Sequence, residues 1–352
     1  MDPNTPHRSR QRLLIVLVVI LVLVGGFTVL ADWEEVRIVI EQADWVALIY
    51  ALFFTVIAYV CVSINFAVIC RLLDIRMNVV ELTEIGFVST VLNHVVQSGG
   101  VAGYSVRYTF ISRSGATNKD ILAASIFQFY LTSIVMLSML PLGLIYLMLN
   151  AQMKPGVTVL IAMATLLLMI LFTLATLFVF RSSTRGRLLS ITGKLVSFIT
   201  RRDVGDTLVN FDETMTRGVA ALHKHPRGLI QIITLVTIDW IASMIVLWFC
   251  FDALGPSVPA GALVAGFVIG IMVGVASMLP AGIGVQDFSM AGVFALLGYS
   301  FEQAVLASIL WRGVFYLLPY IASLGFYWHL MRRMRRDLAL ASHEIDHAHL
   351  DA

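Results

Sequence analysis

Six stretches of the chain run for about 20 residues with almost no charge: 13–30, 45–70, 121–149, 157–180, 229–251 and 302–330. A hydrocarbon core ~30 Å thick is crossed by ~20 helical residues, and within it every backbone N–H and C=O must be satisfied by the chain itself. Runs of this length predict transmembrane helices. They exclude a β-barrel, whose strands alternate in polarity over short segments. Composition agrees, because 59% of the 352 residues are hydrophobic and only 13% are charged, against about half and a quarter in soluble domains. An ordinary cytosolic enzyme, a disordered chain and a disulfide scaffold are thereby excluded. The first run is longer than a signal-peptide core of about 7–15 residues. We expect an uncleaved anchor there, although Val29-Leu30-Ala31 is a cleavage candidate. Cys61, Cys70 and Cys250 form no CxxC pair and read as core residues with no disulfide, zinc or redox role.

Two further apolar stretches are interrupted. One covers 81–96, breaks at Ser98-Gly99-Gly100-Val101-Ala102-Gly103 and resumes from Tyr104 to about Arg113. The other covers 261–279, breaks at Pro280-Ala281-Gly282-Ile283-Gly284 and resumes through Gly298. Glycine and proline release backbone groups that lipid cannot satisfy, so such a break is tolerated only inside protein or beside a wet cavity. Both stretches are expected to be re-entrant helical hairpins.

The basic residues fix an orientation. With both termini in the cytoplasm and both broken stretches re-entrant, 21 of the 24 Lys and Arg residues face inward, as the positive-inside rule requires. Only Arg37 and Lys154 face outward, and Arg312 lies within a span. If 81–96 crossed completely, the nine basic residues between Arg181 and Arg227 would be outside.

This arrangement predicts a single transmembrane domain over 1–330, followed by a basic and then His/acid-rich cytoplasmic tail over 331–352. Within the domain, 45–149 forms one span–hairpin–span unit and 229–330 forms a second, inverted one. Inverted repeats with broken helices meeting near the midplane are a transporter design. Between them, 181–227 interleaves apolar with basic residues. It reads as amphipathic helix on the anionic inner leaflet, or as a solvated linker. The tail run His343-Glu344-Ile345-Asp346-His347-Ala348-His349 reads as disordered.

Four charges stand where lipid would penalise them. Asp239 and Arg312 each lie about ten residues into a span from opposite ends, and an ionised side chain at that depth costs ~2.5–3.5 kcal/mol or more. An Asp239–Arg312 ion pair is expected, either structural or exchanging with an anionic substrate. Arg107 and Asp287 each follow a break by one turn. The post-break helices should turn free N–H groups and positive dipole ends toward a cavity, where they favour an anion. Asp287 either caps its helix or meets the substrate. His94 is a satisfied core histidine or a proton carrier, and Asn93, Gln97 and Ser98 can satisfy backbone near the break. The candidate substrate-binding set is Arg107, Arg312, Gly99, Gly100, Gly103, Tyr104, Gly282, Gly284 and Asp287; the ion-pair or coupling set is Asp239, Arg312 and His94. No P-loop, GxSxG, HExxH or dinucleotide-binding glycine run is present, and no cofactor or metal is implied.

Gly103-Tyr104-Ser105-Val106-Arg107, Leu279-Pro280-Ala281-Gly282-Ile283-Gly284-Val285-Gln286-Asp287 and Arg312 resemble the transmembrane flippase region of lysylphosphatidylglycerol synthases and its stand-alone relatives. Tyr104 stands where that pattern has Glu, Ala281 replaces a glycine and Asp287 replaces Glu. The resemblance implies lipid translocation. An aminoacyl-transferase domain is not expected in the few residues after the last span, so lipid lysinylation is not implied. Without the Glu at Tyr104, an anionic headgroup suits the cavity better than a lysinylated one. The expected function is a lipid translocase in the cytoplasmic membrane moving a phospholipid or polyprenyl phosphate, with no nucleic-acid partner and a homodimer left open. Alternatives are a lipid-modifying transferase, a small-solute or ion-coupled transporter, and a scaffold for lipid synthesis.

Overall fold

The computed structural model describes residues 43–96, 100–151, 155–181, 185–186, 189, 205–277 and 279–350. The expected first run, Gln97, Ser98, Gly99 and most of 182–204 lie outside them. The described chain is an all-α polytopic membrane protein. Its helices are α1 (Trp45–Leu72), α2 (Val79–Val96), α3 (Val101–Ile111), α4 (Asn118–Asn150), α5 (Pro155–Phe180), α6 (Gly205–Lys224), α7 (Pro226–Asp252), α8 (Ala260–Ala276), α9 (Val285–Leu296), α10 (Phe301–Arg312) and α11 (Leu318–Leu350). A π-helical turn, Gly313–Leu317, joins the last two. Among the described residues α1, α2, α4, α7 and the continuous α10–α11 rod are long and apolar enough to cross a membrane. α8 is shorter.

Local chemistry sets the helix ends. Asp44 caps α1 by accepting from the Val46 N–H at 2.8 Å. Thr117 and Asp120 form a reciprocal capping box at the start of α4, which satisfies two otherwise orphaned donors. Pro226 opens α7, where a missing N–H is harmless. The segment after Leu330 contains neither glycine nor proline and continues α11 as far as Leu350. The tail expected to be disordered is therefore helical, because a run of strong helix formers without glycine or proline lets the rod continue beyond its apolar part.

Both broken stretches fold back on themselves, each through a glycine contact. In the first, a Cβ at Gly103 would lie 2.6 Å from the Ser89 carbonyl oxygen, so α3 can lie against α2 only with glycine there. In the second, Gly266, Gly270 and Gly274 of α8 abut Phe294, Met290 and Gln286 of α9. That is a small-residue stripe at a spacing of four, which lets two helices approach closely without help from the hydrophobic effect.

Some of the packing corresponds when the two halves are exchanged. α1 and α7 lie against each other as the central pair; α4 packs on α8, and α11 packs correspondingly on α2. α2 also meets the second break directly. α6 lies across α4 with Met215 and Leu222 buried, while Arg185 is enclosed against Asp212 and Thr216 of α6. The described part of the 181–227 segment is thus docked on the helical bundle through α6.

Candidate functional site at the two helix breaks

At the first break the chain turns through Gly100 with φ +93°, a conformation that costs other residues ~1–2 kcal/mol. The Asn93 side chain on α2 accepts the Gly103 N–H at 2.7 Å. At the second break, Ala281, Gly282 and Gly284 have φ of 51°, 60° and 77°. There Asp287 accepts the Gly284 N–H at 3.1 Å. The free helix ends expected to await an anion are therefore partly occupied from within, by Asn93 in one hairpin and by Asp287 in the other. Asp287 is a cap, which was one of its two expected roles.

Arg312 does not pair with Asp239. It meets Asp287 instead, through Nε to Oδ1 at 3.0 Å and a second amine to Oδ2 at 2.9 Å, and it also donates to the Ala281 carbonyl. The reason lies in the backbone. α9 begins beside the break, so a first-turn carboxylate and two carbonyls released by the left-handed turn converge on one planar cation that can address them together. Ser308 completes Asp287 with a 2.7 Å hydrogen bond. Asp239 lies on α7, 8% exposed.

Arg107 is 3% exposed. It donates to Ser89 Oγ at 2.9 Å and to the Gln128 amide oxygen, and its guanidinium lies 4.2 Å from the centre of the Phe66 ring. Among the described residues its partners are neutral, so its charge has no carboxylate to balance it. Tyr104 is half-buried with its ring beside Tyr108, one turn from Arg107 in the sequence.

His94 lies between the two halves. Its Nδ1 is 3.1 Å from the Tyr59 hydroxyl, and that hydroxyl is 2.9 Å from the Phe315 carbonyl. A carbonyl only accepts, so the single hydroxyl hydrogen goes to Phe315 and the His94 Nδ1–H donates to Tyr59. The Phe315 carbonyl is available because Pro319, four residues on, has no N–H to offer it. The ring of Tyr316 then lies 5.6 Å from the His94 ring and 5.6 Å from the Arg312 guanidinium.

Tyr59 also forms the floor of a cavity of about 320 Å³ between α1, α2 and α11. Its walls include Leu52, Val56, Val60, Leu318 and Phe326, all of which face outward. At one end Glu84 accepts a hydrogen bond from, or pairs with, His329 at 3.1 Å. Tyr59, Tyr316, Ser89, Gln128 and Ser308 were not singled out from the sequence. The usable signal was Pro319, which announces an unsatisfied carbonyl one turn earlier.

The chain matches the family described as the lysylphosphatidylglycerol synthase TM region over residues 12–323. A UPF0104 membrane protein of Methanothermobacter thermautotrophicus is 31% identical over 161 residues, covering 43% of this chain and 47% of that protein. A phosphatidylglycerol lysyltransferase of Staphylococcus aureus strain COL is 33% identical over 92 residues, covering 26% of this chain and 11% of the enzyme. The aligned part thus spans about half of the first relative and about a tenth of the second. With the family match covering most of its length, this chain belongs to the lysylphosphatidylglycerol synthase transmembrane-region family.

Proposed function

We propose that the protein is a lipid translocase of the cytoplasmic membrane, in which two inverted units hold re-entrant hairpins whose breaks meet near the midplane. The reading rests chiefly on the cavity between α1, α2 and α11, whose rim is made of outward-facing apolar side chains and whose floor is Tyr59. In a bilayer such a groove faces lipid. Its occupant is an acyl or prenyl chain of a phosphate-bearing lipid, because the walls are almost wholly apolar while the floor leads by contact to His94, Tyr316 and Arg312. A solute carrier would need a polar cavity closed to the side.

The chemical obstacle to flipping is bringing a headgroup charge into hydrocarbon. Arg312 offers the planar, two-pronged donor geometry that suits a phosphate as well as a carboxylate. When Arg312 turns to a phosphate, Asp287 keeps Ser308 and the Gly284 N–H as partners. These two hydrogen bonds offset part of the cost of separating the carboxylate from its cation. Arg107, balanced by no carboxylate among the described residues, adds positive potential to the first hairpin. Rocking of one unit against the other along the α1–α7 seam would expose the site alternately to the two sides. The termini and the basic 181–227 segment face the cytoplasm in this reading, with the charge distribution as its support.

The test is leaflet exchange in reconstituted vesicles carrying headgroup-labelled phosphatidylglycerol, and separately a labelled polyprenyl phosphate. A membrane-impermeant quencher reaches only the outer pool in protein-free vesicles. With protein, both pools of at least one lipid become accessible; equal quenching with and without protein for both lipids refutes the reading. Mass spectrometry of the same lipids shows unchanged masses, whereas a new adduct would mark a transferase.

A further inference from the structure

Asp239 is a buried ionisable residue that the translocation site does not use. It lies close to the centre of α7, is 8% exposed, and only its backbone carbonyl is engaged, by Ser243 Oγ at 2.8 Å. Among the described residues no Lys, Arg or His pairs with its carboxylate. The arginine that could have done so is held by Asp287, and Arg107 is held by Ser89 and Gln128. A bare carboxylate at this depth is costly, and one without a cation avoids the cost by carrying a proton.

Most charged groups on the helices packed against α7 have partners of their own. From α1, Tyr59 and Cys61 lie within its electrostatic reach. α8 carries no ionisable side chain. On α10, Arg312 is bound to Asp287, and Glu302 lies exposed beside Ser300. On α4, Lys119 pairs with Glu213 and Asp120 caps its own helix; Tyr146 abuts Gly261, and Tyr130 is set toward Thr176. α6 meets α7 with Asp212 and Glu213 in ion pairs, and with His223 and Lys224 in the last turn before α7 begins.

Asp239 thus lies at the middle of α7, the helix that packs on α1 along the seam where the two units must move if they alternate, with Tyr59 of the groove floor within its electrostatic reach. We propose that Asp239 is a proton-binding site that couples lipid movement to the transmembrane proton gradient. This rests on the translocase reading above. In this cycle the closed seam holds the group as a carboxylic acid. When the seam opens to water, the O–H bond breaks, the proton passes to solvent and a carboxylate remains; reprotonation from the other side closes the cycle. One proton carried with one phosphate monoanion moves no net charge across the membrane, so the membrane potential does not oppose the pair.

The experiment uses the full chain in vesicles containing headgroup-labelled phosphatidylglycerol, with a tenfold proton gradient imposed by a pH step. Coupling of one proton per lipid drives the label toward up to about tenfold leaflet asymmetry. In Asp239→Asn, which keeps the size and polarity of the protonated acid, the distribution ignores the gradient, whereas Asp239→Glu keeps the response. Wild-type exchange that proceeds but settles symmetrically under the gradient overturns the coupling and leaves the translocase reading intact. No exchange under any condition overturns both. Infrared spectra at neutral pH provide an independent arm: the protonated-carboxyl band of the wild type disappears in Asp239→Asn, and an unchanged band overturns the proposal whatever the lipid does.

Discussion

Tyr59 and Phe315 are 256 positions apart in the chain, and the hydroxyl of the first donates to the carbonyl of the second at 2.9 Å. The bond ties α1 to the π-helical turn of the last rod at the carbonyl that Pro319 leaves unpaired. Loss of the hydroxyl in Tyr59→Phe leaves that carbonyl and the His94 Nδ1–H without partners, at a cost of about 1–3 kcal/mol. Pro319→Ala restores an N–H to the same carbonyl. The double variant should therefore be more stable than the two single changes predict, by a coupling of roughly 0.5–3 kcal/mol. Unfolding titrations of the four proteins in detergent measure it, and strict additivity would remove the link between the proline and the tyrosine.

The Arg312–Asp287 pair predicts a second asymmetry. Arg312→Gln alone strands a buried carboxylate and should destabilise the fold by about 3–5 kcal/mol, whereas Arg312→Gln with Asp287→Asn replaces the pair by neutral partners and should recover most of that loss. Both proteins should fail in lipid exchange. Thermal melts by size-exclusion fluorescence separate stability from transport. A double variant as unstable as the single would show that the ion pair is not what closes the break.

Close contact between α8 and α9 is the basis of a third expectation. A Cβ at Gly270 would lie 2.8 Å from Met290 Cβ, so Gly270→Leu overpacks the hairpin by roughly 1–3 kcal/mol or more. At Gly292 a Cβ meets nothing within 4 Å. Gly292→Ala should stabilise its helix by about 0.5–1 kcal/mol. The same melts rank the two, and equal effects would contradict the packing described.

Ala281 holds φ 51° without being glycine. Relief of a left-handed strain of ~1–2 kcal/mol is set against the entropy of an added glycine, roughly 0.5–1 kcal/mol. Ala281→Gly should thus raise stability by up to about 1 kcal/mol. Gly282→Ala, at φ 60° with Gly274 Cα 3.2 Å from the new Cβ, should lower it. Melting temperatures moving in the same direction for both would refute this account of the turn.

What the sequence disclosed, and what it hid, divides along physical lines. Helix positions followed from run length, because lipid allows few alternatives, and the two breaks followed from Gly99-Gly100 and Pro280-Ala281-Gly282, because backbone groups released there must be satisfied by protein. The partner of Arg312 did not follow. Depth alone puts Asp239 and Arg312 at the same level, but azimuth around each helix decides which carboxylate a guanidinium reaches, and that angle depends on how the hairpin turns through Ala281 and Gly282. The internal caps at Asn93 and Asp287 were half visible as polar residues near the breaks. That they would leave the helix ends partly occupied required the fold. The lateral groove was invisible, since its walls are ordinary apolar residues on three helices far apart in the chain.

Obstruction of the groove tests the central claim most directly. Ala322 lines it and faces outward, so Ala322→Trp fills the space from the lipid side without entering the core. In vesicles holding headgroup-labelled lipid, the account predicts a folded protein whose exchange rate falls at least tenfold. An unchanged rate in that variant would show that lipid does not pass between α1, α2 and α11.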